Sequence, residues 1–87
     1  MIILGLDIST SNIGFCVIEK REGVCDNLLH ASGMPLTKIK GMYAKAEAFR
    51  HRLSEVSELI SSKTGKGIEV IVIEESLQAF RRNMSSA

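Results

Sequence analysis

Three short apolar segments, each bounded by turn-forming residues, open the chain. Residues 1–6 form an almost unbroken apolar run that stops at Asp7. Its length and β-branched content predict a strand covered on both faces. Segments 13–19 and 24–31 follow polar turns and are predicted as the second and third strands. The apolar side chains that alternate onto one face of the second strand are Ile13, Phe15 and Val17.

A longer periodic segment follows and predicts a helix over residues 40–62. At 1.5 Å per residue, this helix is roughly 33 Å long and can cross a sheet. The turn at residues 63–67 ends it, and the apolar run 68–73, which stops at Glu74, predicts a fourth strand. The apolar positions that recur along one stripe of the helix, and that we expect to pack on the sheet, are Met42, Ala46, Phe49, Leu53, Val56 and Ile60.

The order of these elements fixes their directions in the sheet. Two hairpins make the first three strands alternate in direction, and the helical crossover returns the fourth strand parallel to the first. Since a central strand needs a second neighbour, the fourth strand is expected beside the first. The sequence therefore predicts one α/β domain over residues 1–87, with a mixed sheet of order 3-2-1-4 and one long crossover helix.

Composition narrows the function classes only slightly. The chain has 87 residues, 45% of them hydrophobic and 24% charged, which is typical of one globular domain and not of a disordered chain. The net charge of +1 gives no sign of a nucleic-acid partner. No apolar run has the length of a membrane helix, and no signal peptide is evident, so we expect a cytoplasmic protein without membrane contact. Cys16 and Cys25 are too few for a disulfide framework. If the turn pairs Lys20 with Gly23, Cys16 lies opposite Asn27 and not Cys25, so we expect no bridge between the two cysteines.

Two carboxylates are the main candidates for chemistry. Asp7 and Glu74 end strands that are predicted to be parallel and adjacent, so both should emerge at one sheet edge. Hard oxygen ligands at that spacing suit Mg²⁺ or Mn²⁺. Either residue alone would equally fit a turn or a helix cap. Glu75 is the second choice as a ligand, because successive strand residues face opposite ways.

Two stretches of the chain resemble a known nuclease family. Residues 4–18 are similar to the first motif of RuvC-type Holliday junction resolvases and of the RuvC domain of CRISPR effectors: an apolar strand, an Asp, a turn of small residues, and a Gly seven residues after the Asp, here Gly14. Residues 70–74 resemble the second motif, an apolar strand that ends in a catalytic Glu. The residues similar to the family's next stretch are Phe80, Asn83, Ser86 and Ala87.

This resemblance implies a ribonuclease H-like fold and a Mg²⁺-dependent, structure-selective endodeoxyribonuclease. Its substrate would be branched or junction DNA, and it would act as a homodimer in recombination and repair. Asp7 would contact both catalytic metals and Glu74 would hold one of them. The residues expected to contact DNA are Ser9, Thr10, Ser11, Phe80, Arg81, Arg82 and Asn83.

The chain departs from the family pattern in its first turn and after Glu75. Ile8 and Ser9 stand where the family commonly has Pro and Gly. The family completes its site with a fifth strand and a final helix that carries further acidic residues, whereas nothing after Glu75 is acidic here. We therefore expect the N-terminal part of a domain, truncated before the fifth strand and the final helix, and inactive alone.

Two other classes stay open. Sugar kinases and actin-like ATPases begin with a similar strand, Asp and small-residue turn, in which Thr10, Ser11 and backbone amides would cradle a phosphate. Many of those kinases carry Lys or Arg at the position of Gly14. The chain also fits a non-catalytic remnant that binds DNA or dimerises, because the carboxylates of a full nuclease site are missing.

Overall fold

A mixed four-stranded sheet and one helix make up the part of the chain that the structure describes. The structure is a computed structural model, and it describes residues 1–9 and 11–74. The elements are β1 (Ile2–Ile8), β2 (Asn12–Glu19), β3 (Asn27–Pro35), α1 (Met42–Thr64) and β4 (Val70–Glu74). The sheet order is β3-β2-β1-β4, with β4 parallel to β1 and the other pairs antiparallel. The predicted α/β class and strand order are confirmed.

β1 and β3 each extend at least two residues past their predicted ends. β1 does not stop at Asp7, because Asp7 and Ile8 continue the ladder with β2. β3 was predicted over residues 24–31 but begins at Asn27 and runs to Pro35. A longer connection precedes it, and its last residues pair with the start of β2. Pro35 is tolerated because β3 lies at a sheet edge, where a missing N–H breaks no inner ladder.

One face of the sheet packs against α1 and forms the core. Alternate residues of β1 and β2 point to this side, as the period-2 pattern of β2 predicts. Phe15 stacks on Phe49 of α1 with ring centroids 5.9 Å apart. The buried hydrophobic side chains are Ile2, Leu4, Leu6, Ile13, Phe15, Val17, Met34, Leu36, Val56 and Ile60.

Only the second half of α1 contributes fully buried side chains. Val56 and Ile60 are buried, whereas Met42 is 84% exposed and Ala46 is also exposed. The expectation that the whole stripe packs on the sheet is therefore wrong at its N-terminal end, because the core of the sheet meets the later turns of the helix. The predicted helix stop is confirmed: Gly65 is left-handed (φ 71°) and donates its N–H to the Ser61 carbonyl at 2.8 Å.

No described element packs on the face of the sheet opposite α1. The first strand was predicted to be covered on both faces, but Ile3 and Gly5 are only half-buried. All five residues of β4 are exposed, although its apolar sequence is typical of a buried strand. The physical reason is that α1 lies nearest β3, and β1 is the only described element that contacts β4. No helix in the described part is long and apolar enough to cross a membrane.

A charged cluster of Glu19, Arg21 and Lys66 lies at the end of the sheet where β2 ends. Glu19 is 9% exposed, and its carboxylate accepts a hydrogen bond from Arg21 at 2.9 Å. Lys66 lies 3.7 Å from its other oxygen. The Arg21 hydrogen bond, followed by the positive charges of Arg21, Lys66 and the N-terminus, holds the pKa of Glu19 below its ordinary value and outweighs burial, which acts the other way.

Truncating Ile60 tests the sheet–helix packing. Ile60→Ala is expected to lower the free energy of unfolding by about 2–5 kcal/mol, because the fully buried side chain leaves a cavity. Leu59→Ala is the matched control, since Leu59 is 41% exposed and its truncation should cost about 0.5 kcal/mol. Urea denaturation followed by circular dichroism measures both. Equal losses for the two variants would contradict this packing.

Neutralising Glu19 tests the charged cluster. A carboxyl whose pKa is lowered by folding adds stability above its unfolded pKa and loses it as the pH falls through the folded value. The melting temperature of the wild type should therefore fall more steeply on acidification than that of Glu19→Gln. Glu22→Gln, which removes an exposed carboxylate in the connection just after β2, should keep the wild-type slope. Parallel curves for wild type and Glu19→Gln would refute the cluster's role.

Candidate metal centre

Asp7 and Glu74 are direct partners in the parallel ladder between β1 and β4. Paired residues of a parallel ladder point to the same sheet face, and neighbouring strands lie about 4.8 Å apart. Both residues are exposed. The structure thus brings the two predicted metal ligands together on one face at the spacing of adjacent strands.

That face is the one opposite α1, here called the open face. Leu6, next to Asp7, is buried beneath α1, so the alternation of β1 directs Asp7 the other way. On the other side of Asp7 its ladder partner is Gly14 of β2. Asp7 is therefore flanked by a carboxylate on one strand and by a residue without a side chain on the next.

The two carboxylates border a shallow depression of about 460 Å³ on the open face. Its floor is made by residues with small side chains on three adjacent strands, which lets a ligand approach the sheet closely. Apart from Gly14, the sequence pattern did not single out these floor residues, although small residues at alternating strand positions were the available signal. The lining residues are Gly5, Leu6, Asp7, Gly14, Phe15, Cys16, Ala31, Ser32, Val72 and Glu74.

Gly14 keeps open the space beside Asp7. A Cβ atom built on Gly14 would lie 3.6 Å from the Asp7 Cβ and 3.9 Å from the Asp7 carbonyl oxygen, which is ordinary contact. The backbone therefore admits a side chain here. A larger side chain would occupy the depression next to the Asp7 carboxylate, so the glycine matters for the room it leaves.

The turn after Asp7 is tied together by Ser9. Its hydroxyl accepts the Asn12 N–H at 3.0 Å and donates to the Asn12 carbonyl at 2.8 Å. The Ser9 N–H also donates to the Asn12 carbonyl, at 3.0 Å. The N–H and the hydroxyl of Ser9 are thus both used inside the turn, at the position where the resolvase pattern has Gly. Ser11 is exposed beside it, with its hydroxyl 3.5 Å from that of Ser9.

Several predicted site residues lie outside the described residues. These are Thr10, Glu75, Phe80, Arg81, Arg82 and Asn83. Of the residues predicted to contact DNA, the structure therefore places only Ser9 and Ser11, both near Asp7 in the chain. The DNA contacts of Arg81 and Arg82 therefore stay predictions.

The donor set at this centre consists of two carboxylates. In residues 1–9 and 11–74, no group of three or more His, Cys, Asp or Glu side chains lies close enough to hold a metal ion. Mg²⁺ is commonly held by one or two protein carboxylates, with water and substrate phosphate oxygens filling its other positions. Two exposed carboxylates on adjacent strands repel each other, and a cation between them relieves that repulsion. The residues present therefore fit a divalent cation that is completed by water and phosphate.

A larger depression, of about 770 Å³, lies at the opposite end of the sheet beside Met1 and the charged cluster. Its carboxylate, Glu19, is already paired with Arg21 and Lys66. Charges that neutralise each other leave no ligand free for a cation. The Asp7–Glu74 pair is therefore the better candidate, because neither residue has a salt-bridge partner among the described residues.

The cysteines take no part in a bridge. Cys16 pairs with Ala31 across β2 and β3, and Cys25 precedes β3. Both thiols are free and exposed. The sequence-based register, which set Cys16 opposite Asn27, is wrong because the connection between the strands is longer than a two-residue turn.

Comparison with known proteins does not indicate a function for this chain. No protein-family model, curated protein or solved structure matches this chain. The arrangement of Asp7, Glu74 and Gly14 must therefore be interpreted from its own geometry and chemistry. That geometry comprises two adjacent carboxylates, a small-residue floor and an open approach from solvent.

Proposed function

We propose that the chain belongs to a metal-dependent nuclease domain of the RuvC and ribonuclease H-like type, acting on branched DNA. The observation that carries this proposal is the ladder pairing of Asp7 with Glu74. The sheet order β3-β2-β1-β4 with a crossover helix is the arrangement that such a domain requires for its first four strands. Both support the proposal independently of the motif resemblance.

Each residue of the centre has a distinct part in this proposal. Asp7, on the inner strand β1, and Glu74, on β4, hold Mg²⁺ or Mn²⁺ through carboxylate oxygens. When bound, such a cation activates water and stabilises the leaving oxygen of a phosphodiester. Gly14 and the small residues of the floor leave room for a DNA phosphate beside Asp7. As in the resolvases that the chain resembles, the active protein would be a homodimer.

A second candidate is DNA binding without cleavage. It is favoured by the donor set, since two carboxylates hold a cation against a phosphate without the further acidic residues of a full nuclease site. The third candidate, a phosphate cradle of the sugar kinase or actin-like ATPase type, is weakened by Ser9. Its N–H and hydroxyl serve the turn and are not free to bind a phosphate.

Carboxylate variants test the metal centre. Isothermal titration with Mn²⁺ should show weak binding at one site in the wild type, and Asp7→Asn and Glu74→Gln should each abolish it. Asp26→Asn is the matched control, because Asp26 is an exposed acidic residue in the connection at the opposite end of the sheet. Tight binding at two sites, or equal binding by Asp7→Asn, would contradict the proposed centre.

Filling the space beside Asp7 tests the floor of the depression. Gly14→Val should weaken Mn²⁺ binding several-fold while both ligands remain, because the new side chain occupies the room next to the Asp7 carboxylate. Gly67→Val is a control far along the chain, where a Cβ meets nothing within 4 Å. Equal Mn²⁺ affinity of Gly14→Val and wild type would show that the depression plays no part.

A labelled four-way DNA junction separates the nuclease from the binding remnant. Fluorescence anisotropy should show tighter binding in Mn²⁺ than in EDTA, and Asp7→Asn should lose this difference. Any nicking of the junction on a denaturing gel should need Mn²⁺ and vanish in Asp7→Asn. Nicking that needs both Mn²⁺ and Asp7 rules out the remnant, and nicking that persists in Asp7→Asn removes Asp7 from the centre.

A further inference from the structure

The carboxamide of Asn12 lies on the open face, close to the candidate metal centre. Ile13, the next residue of β2, is buried on the α1 side, so alternation along the strand places Asn12 and Gly14 on the open face. Gly14 is the ladder partner of Asp7. Asn12 therefore stands two residues along β2 from the partner of a proposed metal ligand, and it is exposed to solvent.

The backbone of Asn12 is held by the turn that precedes it. Its N–H donates to the Ser9 hydroxyl at 3.0 Å. Its carbonyl accepts from that hydroxyl at 2.8 Å and from the Ser9 N–H at 3.0 Å. Its carboxamide makes no hydrogen bond to another described residue. The turn thus fixes the position from which the side chain extends and leaves the carboxamide able to bind a ligand.

Two glycines leave a strip without side chains between Asp7 and this carboxamide. Gly14 on β2 and Gly33 on β3 are ladder partners. A Cβ atom built on Gly33 would lie 3.4 Å from Oδ1 of Asn12 and 3.8 Å from its Nδ2, so the carboxamide lies above β3 in the room that Gly33 leaves. Asp7 on β1 and the carboxamide above β3 are then two strand spacings apart, roughly 10 Å, with the two glycines between them.

Asn12 carries the one amide donor among the side chains that the four strands place on the open face. A phosphate is repelled by the two carboxylates of the centre, and a neutral N–H donor stabilises a phosphate oxygen without adding negative charge. The other positions on this face are apolar, acidic, a thiol or glycine, and they are Ile3, Gly5, Asp7, Gly14, Cys16, Ile18, Leu28, Ala31, Gly33, Pro35, Val70, Val72 and Glu74.

We infer that Asn12, with the strip of Gly14 and Gly33, forms a second phosphate subsite, in which Nδ2 donates to a non-bridging oxygen of the DNA backbone. The inference rests on the proposed function, in which a cation held by Asp7 and Glu74 binds the first phosphate. Those carboxylates are on β1 and β4, whereas the carboxamide lies above β3. Asn12 therefore binds the neighbouring phosphate of the same DNA strand, and it directs that strand across the sheet from β4 towards β3.

Junction affinity and Mn²⁺ affinity together test the subsite. In Mn²⁺, Asn12→Ala should weaken binding of the labelled four-way junction about tenfold, because a hydrogen bond to a charged oxygen is lost. Mn²⁺ affinity measured by isothermal titration should stay at the wild-type value, since both carboxylates remain. Asn27→Ala is the matched control, because Asn27 is an exposed asparagine of β3 at the opposite end of the sheet. It should change neither affinity.

Gly33→Val tests the strip without changing the carboxamide itself. The new side chain would take the room above β3 in which the Asn12 carboxamide lies, so junction binding should weaken several-fold. Gly33 is not among the glycines with positive φ, and a β-branched residue suits a strand, so circular dichroism should show the fold retained. Wild-type junction affinity in this variant overturns the subsite.

The side-chain amide signals give the direct test. In a ¹⁵N-labelled chain with Mg²⁺, the Nδ2 signals of Asn12 should shift when the junction is added, and those of Asn27 should not. Unshifted Asn12 signals, or unchanged junction affinity in Asn12→Ala, overturn the subsite and leave the metal centre in place. Loss of Mn²⁺ affinity in Asn12→Ala also overturns it, because Asn12 would then be a metal ligand. A wild type whose junction binding gains nothing from Mn²⁺ overturns the proposed function, and the subsite with it.

Discussion

The parallel pairing of β1 with β4 is the interaction on which the candidate site depends. It joins Asp7, near the start of the chain, to Glu74, which follows the whole of α1. A slip of one residue would turn Glu74 to the α1 side of the sheet and separate the carboxylates. Glu69 fixes the register at the other end of the pair, where its N–H and its carboxylate both bond to Ile2, at 2.9 and 3.2 Å.

The sequence was sufficient for the features that follow from local pattern and chain direction. Alternation in β2 identified its buried face, and the order of hairpins and crossover gave the sheet order and the Asp7–Glu74 pair. The burial of side chains in α1 and β4 could not be predicted from these local patterns. Apolar periodicity at Met42 and in β4 shows which side chains can be buried, whereas their exposure depends on which other elements reach them.

β4 carries one half of the candidate site. Its Val72 and Glu74 line the depression on the open face. Because β4 contacts only β1 among the described elements, little else in the described chain holds Glu74 in place. A cation shared with Asp7 would stabilise β4 in its folded position, since ligands that bind only the folded state favour it.

Paramagnetic line broadening by Mn²⁺ tests the central claim, that Asp7 and Glu74 jointly hold a divalent cation. In a ¹⁵N-labelled chain, substoichiometric Mn²⁺ should first broaden the amide signals of Gly5 and Gly14, which line the depression. The signal of Gly23, in the connection beyond the opposite end of β2, should stay sharp, and Asp7→Asn should abolish the selective effect. Uniform broadening, or broadening centred on the exposed carboxylates of α1, would contradict the account.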